Sequence, residues 1–371
     1  MSHNITKVEI IPLQIELNEP FIISIGPMTH ARITVVKVHI GNGLFGSGEC
    51  CPYRTIHTES QEGSVQSGQH LAKALIGKDV TQIMRINDIM QQLLPGHASI
   101  KAAIDMAIYD LNAKLVGQPL YRYLHGDRSK KIYTDMTISL MDLDKMVEQS
   151  IKNKKAGFPV QKIKLGDPDS VNDVERVTAI RQAVGAGYPL CLDANQGWDY
   201  QGAVTALNAM ASLGISHCEA PIFSGNHEEL KSIRSMSPIP IMGDESVFSP
   251  QDAYNMLHKG CIDQVNIKLG KSGGIYQAMK IASVAAAAGV ACQVGCFSET
   301  RLGISALVHY SMAWDHILHH DLDSPLMQSE DPIIGGLTYH DDWSVSLSDQ
   351  PGIGAAYDPD FLDKWDKIEI Q

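Results

Sequence analysis

Apolar and polar residues alternate in two different ways along the chain, and the change falls near residue 125. Before it, the runs ITKVEIIPLQI and TVVKVHIGNGLFGSGEC have a period close to two, and the second contains a Gly-Asn-Gly turn. These features predict a three-stranded antiparallel sheet. Further along, SIKAAIDMAIYDLNAKLVG places apolar residues at helical spacing. We therefore expect residues 1–125 to form an α+β domain.

After residue 125 the pattern changes to short apolar runs, each followed by an amphipathic segment. There are eight runs: IYTDMTIS, VQKIKL, PLCLDAN, ISHCEAP, IPIMGDES, DQVNIKLG, ACQVGCF and ILHHDLD. Their polar ends recur at the period of a strand–helix unit, which predicts an α/β fold of the (β/α)₈ type, a modified TIM barrel. We expect this barrel over residues 126–340 and a C-terminal segment over 341–371 that packs back on the first domain.

Composition and charge exclude several classes of function. The 371 residues are 44% hydrophobic and 19% charged, which is typical of a globular protein, and the formal net charge of -12 argues against binding nucleic acid. The amino terminus lacks the pattern of a signal peptide, and no apolar stretch reaches the about 20 residues of a membrane span. No G-x-G-x-x-G follows an early strand. We expect a cytoplasmic protein with a small-molecule substrate and no nucleic-acid or membrane partner.

Three consecutive predicted strands end in a carboxylate, namely Asp193, Glu219 and Asp244. An acid after a strand can also cap a helix or shape a turn, and for any single one of them that alternative stands. The following helices begin further on, however, as at Ser249 and Pro250. Because neighbouring strand ends meet in a barrel, three oxygen ligands would converge, which favours one Mg²⁺ per subunit.

Two lysines stand two residues apart in VQKIKL, so Lys162 and Lys164 point to the same side of their strand. In a barrel strand covered by helices that side is the interior. Buried together, each ammonium should lower the other's pKa, which would make Lys164 a general base and Lys162 its electrostatic partner and a donor to substrate. Lys268 ends the sixth strand, across the barrel from the second. Two bases on opposite faces predict racemisation or epimerisation beside a carboxylate.

The motifs KIKLG, DANQGW, CEAP, GDES and NIKLGKSGG together resemble the enolase superfamily, in its muconate-lactonizing enzyme subgroup, over essentially the whole chain. The resemblance implies a cap domain before the barrel, the three Mg²⁺ ligands and the pair of lysine bases named above. The eighth run ends in HHDLDSP. Its Asp321 and Asp323 look like the D-x-D of dipeptide epimerases, which holds the α-ammonium of the substrate; the alternative is a turn before Pro325.

The resemblance also bears on specificity. Epimerases that act on Ala-Glu carry an arginine about five residues past a phenylalanine in the cap, and here the matching position after Phe21 is Gly26. Without that cation a buried side-chain carboxylate would lack a partner, so we expect an Ala-Xaa dipeptide with an apolar second residue; the alternative is that Arg32 or Arg54 supplies the charge from another angle. Further residues expected to line the substrate are Ile56, Cys296, Phe297 and Ser298.

Several alternatives remain at this point. The chain could be another enzyme of the subgroup, such as an N-acylamino acid racemase, an o-succinylbenzoate synthase or a cycloisomerase, none of which has an ammonium to bind. It could also be a barrel without catalysis, although such a protein has little reason to keep every lysine and acid of the set. The resemblance implies a homo-oligomer.

Overall fold

The computed structural model describes residues 3–371, apart from the side chain of His57. The first part of the chain forms a sheet followed by helices. Its strands are β1 (Ile5–Ile23), β2 (Gly26–Ile40) and β3 (Phe45–Cys50), and its helices are α1 (Arg54–His57), α2 (Gln61–Leu75), α3 (Ile83–Leu93), α4 (Ala98–Leu115) and α5 (Leu120–Tyr123).

A short strand, β4 (Ile132–Tyr133), precedes eight parallel strands that lie side by side in chain order. These are β5 (Met136–Ile138), β6 (Gln161–Lys164), β7 (Leu190–Asp193), β8 (Ile215–Glu219), β9 (Ile241–Gly243), β10 (Gln264–Ile267), β11 (Cys292–Val294) and β12 (Ile317–His320). The intervening helices are α6 (Leu143–Lys155), α7 (Ser170–Val184), α8 (Tyr200–Ala209), α9 (His227–Met236), α10 (Pro250–Lys259), α11 (Leu269–Ser272), α12 (Ile275–Ala287) and α13 (Arg301–Ser311).

Each of the eight apolar runs in the sequence contains one of these strands. The backbone N–H of Asp135, just before β5, donates to the carbonyl of His320 on β12 at 3.1 Å and links the first strand to the last. The predicted (β/α)₈ barrel with an N-terminal α+β domain is confirmed.

The chain ends in short elements around the barrel and the cap. They are β13 (Ile333–Gly335), β14 (Thr338–Tyr339), β15 (Ser344–Ser346), β16 (Ala355–Tyr357), α14 (Pro359–Leu362) and β17 (Ile368–Ile370). β17 pairs antiparallel with β1, so the cap sheet has four strands in the order β17-β1-β2-β3. The sequence predicted three, because the fourth comes from the far end of the chain.

Helix α4 packs directly on β3 within the cap, and its contacts with the barrel helices α11 and α12 join the cap to the barrel. A Cβ on Gly48 of β3 would overlap the carbonyl oxygen of Ala103, so only glycine permits this approach. The helix is buried on nearly all sides because the sheet lies on one side and α11 and α12 lie on the other. Among the described helices, none is both long and apolar enough to cross a membrane.

Candidate active site

The barrel interior holds the lysines of β6 at the carboxyl end of the sheet. Lys162 is fully buried, and its Nζ lies 2.8 Å from Glu219 Oε2, 3.0 Å from Asp321 Oδ2 and 3.2 Å from Asp193 Oδ2. Lys164 Nζ lies 2.6 Å from the same oxygen of Asp193. The strand alternation therefore turns both ammonium groups inward, among acids from three other strands.

Lys268 follows β10, which is four strands away from β6. It is buried, and its Nζ lies 2.7 Å from Asp244 Oδ2 and 4.7 Å from the centroid of the Phe297 ring. A further lysine, Lys271 on α11, holds the other oxygen of Asp244 at 2.6 Å. Asp244 is thus gripped by two ammonium groups, and Lys268 lies across the barrel from Lys164.

The pKa values of two lysines differ from the expectation. Burial lowers the pKa of Lys162, but the carboxylates of Asp321, Glu219 and Asp193 outweigh it and raise the pKa well above its usual value. Burial also disfavours charge on Lys268, yet Asp244 and Glu219 raise its pKa. The prediction that Lys164 lowers the pKa of Lys162 was wrong. Three carboxylates lie within 3.2 Å of Lys162 Nζ and determine the direction of the shift, and the pattern of one strand does not reveal them.

The three predicted metal ligands end neighbouring strands and are all buried. Burial raises the pKa of Asp193, but Lys164, Lys162 and Lys268 outweigh it and lower the pKa to about 2. Glu219 behaves oppositely: burial and the charge of Asp193 raise its pKa to about 7. This crowding of negative charge marks a place where a cation is stabilised.

The donor set fits Mg²⁺. Asp193, Glu219 and Asp244 offer only carboxylate oxygens, which are the ligands that Mg²⁺ prefers. Each is held from the side by an amide or ammonium group, for example Asn266 Nδ2, which donates to Glu219 Oε1 at 2.7 Å. In this structure the ammonium groups of Lys162, Lys164, Lys268 and Lys271 form ion pairs with these three acids.

A second acidic pair lies at the end of β12. Asp321 Oδ1 and Asp323 Oδ1 lie 3.5 and 3.9 Å from Cys296 Sγ. In the described part of the chain, these three residues form the one group of three whose candidate ligand atoms lie within 4.8 Å of one another. The backbone N–H of Thr137 holds Asp323 Oδ2 at 2.7 Å. Burial and the charge of Asp321 raise the pKa of Asp323 to about 7, and the pair sets two carboxyl groups against the one ammonium of Lys162.

A cavity of about 40 Å³ joins several of the predicted residues. Its lining residues are Leu17, Phe21, Met28, Thr137, Lys164, Cys296, Phe297, Ser298, Asp321, Asp323, Ser324 and Met327. The structure thus brings one base, the acidic pair and the three residues after β11 to one space.

The two predicted cap positions lie elsewhere. Gly26 has a positive φ of 124° and lines a cleft of about 430 Å³ between the β1–β2 turn and the segment after β3. Met28 lines both this cleft and the small cavity, so the two spaces share a wall. Ile56 lies half-buried on α1.

Sequence reasoning missed several polar groups of the site. Asn195 Oδ1 accepts from Lys164 Nζ at 3.1 Å, and its Nδ2 donates to the buried Glu245 at 3.2 Å. Asn195 has a left-handed backbone, φ +40°, which is rare outside glycine and common where a site imposes strain. Their positions in the sequence could have identified both asparagines as site residues: Asn195 stands two residues after Asp193, and Asn266 stands two before Lys268.

Comparisons with known proteins agree with this geometry. Residues 5–125 match the family model described as the mandelate racemase / muconate lactonizing enzyme N-terminal domain, and residues 145–361 match the enolase C-terminal domain-like model. The chain is 39% identical to the D-Ala-D/L-Ala epimerase of Cytophaga hutchinsonii over 366 residues, 99% of each chain. It is 38% identical to the L-Ala-D/L-Glu epimerase of Bacillus subtilis over 354 residues, 94% of this chain and 96% of that one.

Solved structures are similar to the whole chain. A dipeptide epimerase from C. hutchinsonii, complexed with Mg and D-Ala-L-Val, has a TM-score of 0.98 and 39% identity, and the match covers 99% of this chain and 100% of that one. One from Enterococcus faecalis V583, complexed with Mg and L-Leu-L-Tyr, has a TM-score of 0.92 and 35% identity, covering 95% and 100%. The chain therefore belongs, as its motifs predicted, to the mandelate racemase/muconate lactonizing enzyme family of the enolase superfamily.

Proposed function

We propose that the protein is a Mg²⁺-dependent dipeptide epimerase that inverts the α-carbon of the C-terminal residue of an Ala-Xaa dipeptide. The observation that carries the proposal is the pair of buried lysines on strands four apart, with two acidic groups between them. The relatives confirm the predicted class of reaction, since those at highest identity are named epimerases of dipeptides.

Two lysines perform the proton transfer. One of Lys164 and Lys268 removes the α-proton from one face of the substrate, and the other delivers a proton to the opposite face. A neutral amine is needed on the first side and an ammonium on the second, and the roles reverse for the other epimer. An inverted stereocentre then follows from geometry alone.

The two acidic groups bind opposite ends of the substrate. Asp193, Glu219 and Asp244 would hold one Mg²⁺, which when bound supplies positive charge for the substrate carboxylate and for the charge that develops as the α-proton leaves. Lys162 pairs with Asp193, Glu219 and Asp321, and its charge offsets their mutual repulsion. Asp321 and Asp323 would take the α-ammonium, which adds a second positive charge to the one that Lys162 brings to Asp321.

An apolar second residue remains our preferred specificity. Gly26 itself offers no charge to a side chain in the cap cleft, which Arg32 and Arg54 also line, and no described heavy atom lies within 4 Å of its Cβ position. The relatives complexed with D-Ala-L-Val and L-Leu-L-Tyr take apolar second residues. Ile56, Cys296, Phe297 and Ser298 are proposed as further substrate contacts. Assembly as a homo-oligomer, a cytoplasmic location and the domain limits stay predictions.

The test is a dipeptide library incubated with the protein and Mg²⁺ in D₂O and scored by mass for α-deuterium. We expect exchange at the C-terminal residue of Ala-Val and Ala-Leu, little exchange with Ala-Glu, and none after EDTA. The matched control is each dipeptide with an acetylated amino group, which has no ammonium. Faster exchange of the acetylated set would favour an N-acylamino acid racemase and would contradict the proposal.

A further inference from the structure

The loop after Lys268 forms one hydrogen-bonded unit that leads into α12. The carbonyl of Lys268 accepts from the backbone N–H of Ser272 at 3.0 Å, and the N–H of Gly274 donates to the carbonyl of Leu269 at 3.0 Å. These bonds cross-link the whole segment from Lys268 to Gly274. The position of Lys268 is therefore coupled to the point at which α12 begins.

A carboxylate from the cap domain completes the start of α12. Asp105 on α4 is fully buried, and its Oδ2 accepts from the backbone N–H of Tyr276 at 3.1 Å. The carboxylate also accepts from the N–H of Ile275, and its Oδ1 accepts from Asn87 Nδ2 at 2.7 Å. The N-cap residue, Gly274, has no side chain for this task.

The approach of the two domains at this point needs a glycine. Gly274 has φ +107°, and a Cβ there would overlap Asp105 Oδ2. A glycine on the barrel side and a carboxylate on the cap side thus fit together. Without the carboxylate, the buried N–H groups of the first turn would lose their acceptor.

The loop after Lys164 is anchored by a carboxylate of the barrel. Asp173 on α7 is fully buried, and its Oδ2 accepts from the N–H groups of Gly166 and Asp167 at 2.8 and 2.9 Å. The same oxygen accepts from Trp198 Nε1 at 2.8 Å. These residues all belong to barrel loops and helices; the cap adds the hydroxyl of Ser24, which donates to the carbonyl of Asn195 at 2.8 Å, and the Phe21 ring, whose centroid lies 5.9 Å from Lys164 Nζ.

We propose that Asp105 is a positioning residue for Lys268, so that a buried carboxylate of the cap domain controls proton transfer at one face of the substrate, whereas at the other face the corresponding carboxylate, Asp173, belongs to the barrel. The proposal rests on the two-base reaction proposed above. Asp105 acts through α12 and α11. A shift of about 1 Å in a reacting group can cost about 100-fold in rate, so a loose start of α12 is enough to impair one base.

The test compares the two epimers of one dipeptide, L-Ala-L-Val and L-Ala-D-Val, in D₂O with Mg²⁺. Initial rates of α-deuterium incorporation are measured for each epimer. The epimer that loses exchange in Lys268→Ala defines the Lys268 face. In Asp105→Ala we expect exchange of that epimer to fall by about 30-fold or more, and exchange of the other epimer by less than about threefold.

Two further variants separate positioning from general stability. Asp105→Asn keeps a carboxamide oxygen for the N–H of Tyr276 and should restore the wild-type ratio of the two rates. Asp110→Ala is the matched control: Asp110 is buried on the same helix, but its carboxylate binds Lys114 and the N–H groups of Ser47 and Ile353, none of which follows a base. This variant should lose stability without changing the ratio.

An equal fall for both epimers in Asp105→Ala, or the same change of ratio in Asp110→Ala, would overturn the proposal. If Asp105→Ala does not fold, Gly274→Ala makes the same break from the barrel side, and the same result is expected. If the wild-type protein exchanges neither epimer, the proposed function fails, and positioning is then measured by amide hydrogen exchange over residues 269–276. Equal protection there in Asp105→Ala and Asp110→Ala would contradict the proposal by itself.

Discussion

The two acidic groups at the mouth of the barrel are alike in burial and differ in what surrounds them. Around Asp193, Glu219 and Asp244 stand the ammonium groups of four lysines. Around Asp321 and Asp323 stand one ammonium, a thiol and a backbone N–H group.

The difference shows in the pKa values. The lysines outweigh burial at Asp193 and bring its pKa to about 2, whereas the pKa values of Glu219 in the same group and of Asp323 in the other are both raised to about 7. Four ammonium groups contact the three acids of the first group, and one contacts the two acids of the second. A resident metal ion suits the first, where only oxygens are offered, and the ammonium of a passing substrate suits the second.

The largest expected effect is at the metal end. Glu219→Gln removes one of three oxygen anions, and we expect the rate of epimerisation to fall about 10³-fold or more, because a bound metal supplies several kcal/mol of charge stabilisation. Calorimetric titration with Mg²⁺ should show weakened binding in parallel. Asp263→Asn, an acid between β9 and β10 paired with Arg234 near the surface, is the control and should change neither quantity.

A smaller and different effect is expected at the other end. Asp321→Asn weakens the charged hydrogen bond to the α-ammonium, so KM for Ala-Val should rise about 10- to 100-fold with a smaller change in kcat. Steady-state kinetics by polarimetry gives both constants. A fall in kcat with KM unchanged would contradict the assignment of Asp321 to the α-ammonium.

The pH dependence sharpens the contrast further. Because the pKa of Asp323 is raised to about 7, its carboxylate is protonated as the pH falls through 7, and the site loses affinity for the ammonium. We expect kcat/KM to fall by at most about tenfold per pH unit below 7. In Asp323→Asn this limb should disappear; its persistence would assign it to another group.

The buried carboxylate of Asp105, in the cap domain, has only uncharged hydrogen-bond partners among the described residues, and its pKa is raised by burial to about 7. The unfolded chain releases this proton near pH 4 and the folded protein near pH 7, so the free energy of unfolding falls between these two pH values. Above pH 7 this loss of stability is constant. Asp105→Asn should not show this loss, because an amide does not ionise. Relative to the wild type, we expect the variant to gain about 1–3 kcal/mol between pH 5 and 7.5. Parallel denaturant titrations at the two pH values measure the gain, and no gain would contradict the account.

The architecture was readable from the sequence because barrel strands and helices repeat at a fixed period. Each apolar run ended in the polar residue that the structure places at the mouth, so Lys164, Asp193 and Lys268 could be found from position alone. Contacts between distant segments could not. Neither the pairing of β17 with β1 nor the reach of Asp105 into α12 leaves a local pattern.

The pKa of Lys162 shows the same limit in chemical terms. A strand pattern gives the side on which a charge lies, and the neighbouring lysine was therefore visible. The acids that surround Lys162 come from three other strands, and their distances decide the sign of the shift. Only the folded chain contains those distances.

The most direct test of the central claim is α-deuterium exchange of L-Ala-L-Val and L-Ala-D-Val by the variants Lys164→Ala and Lys268→Ala, with Mg²⁺ present. Both variants should lose epimerisation. Each should still exchange one epimer, and the epimer exchanged by one variant should be the epimer that the other leaves untouched. Exchange of the same epimer by both variants, or epimerisation by either one, would contradict two bases on opposite faces of the substrate.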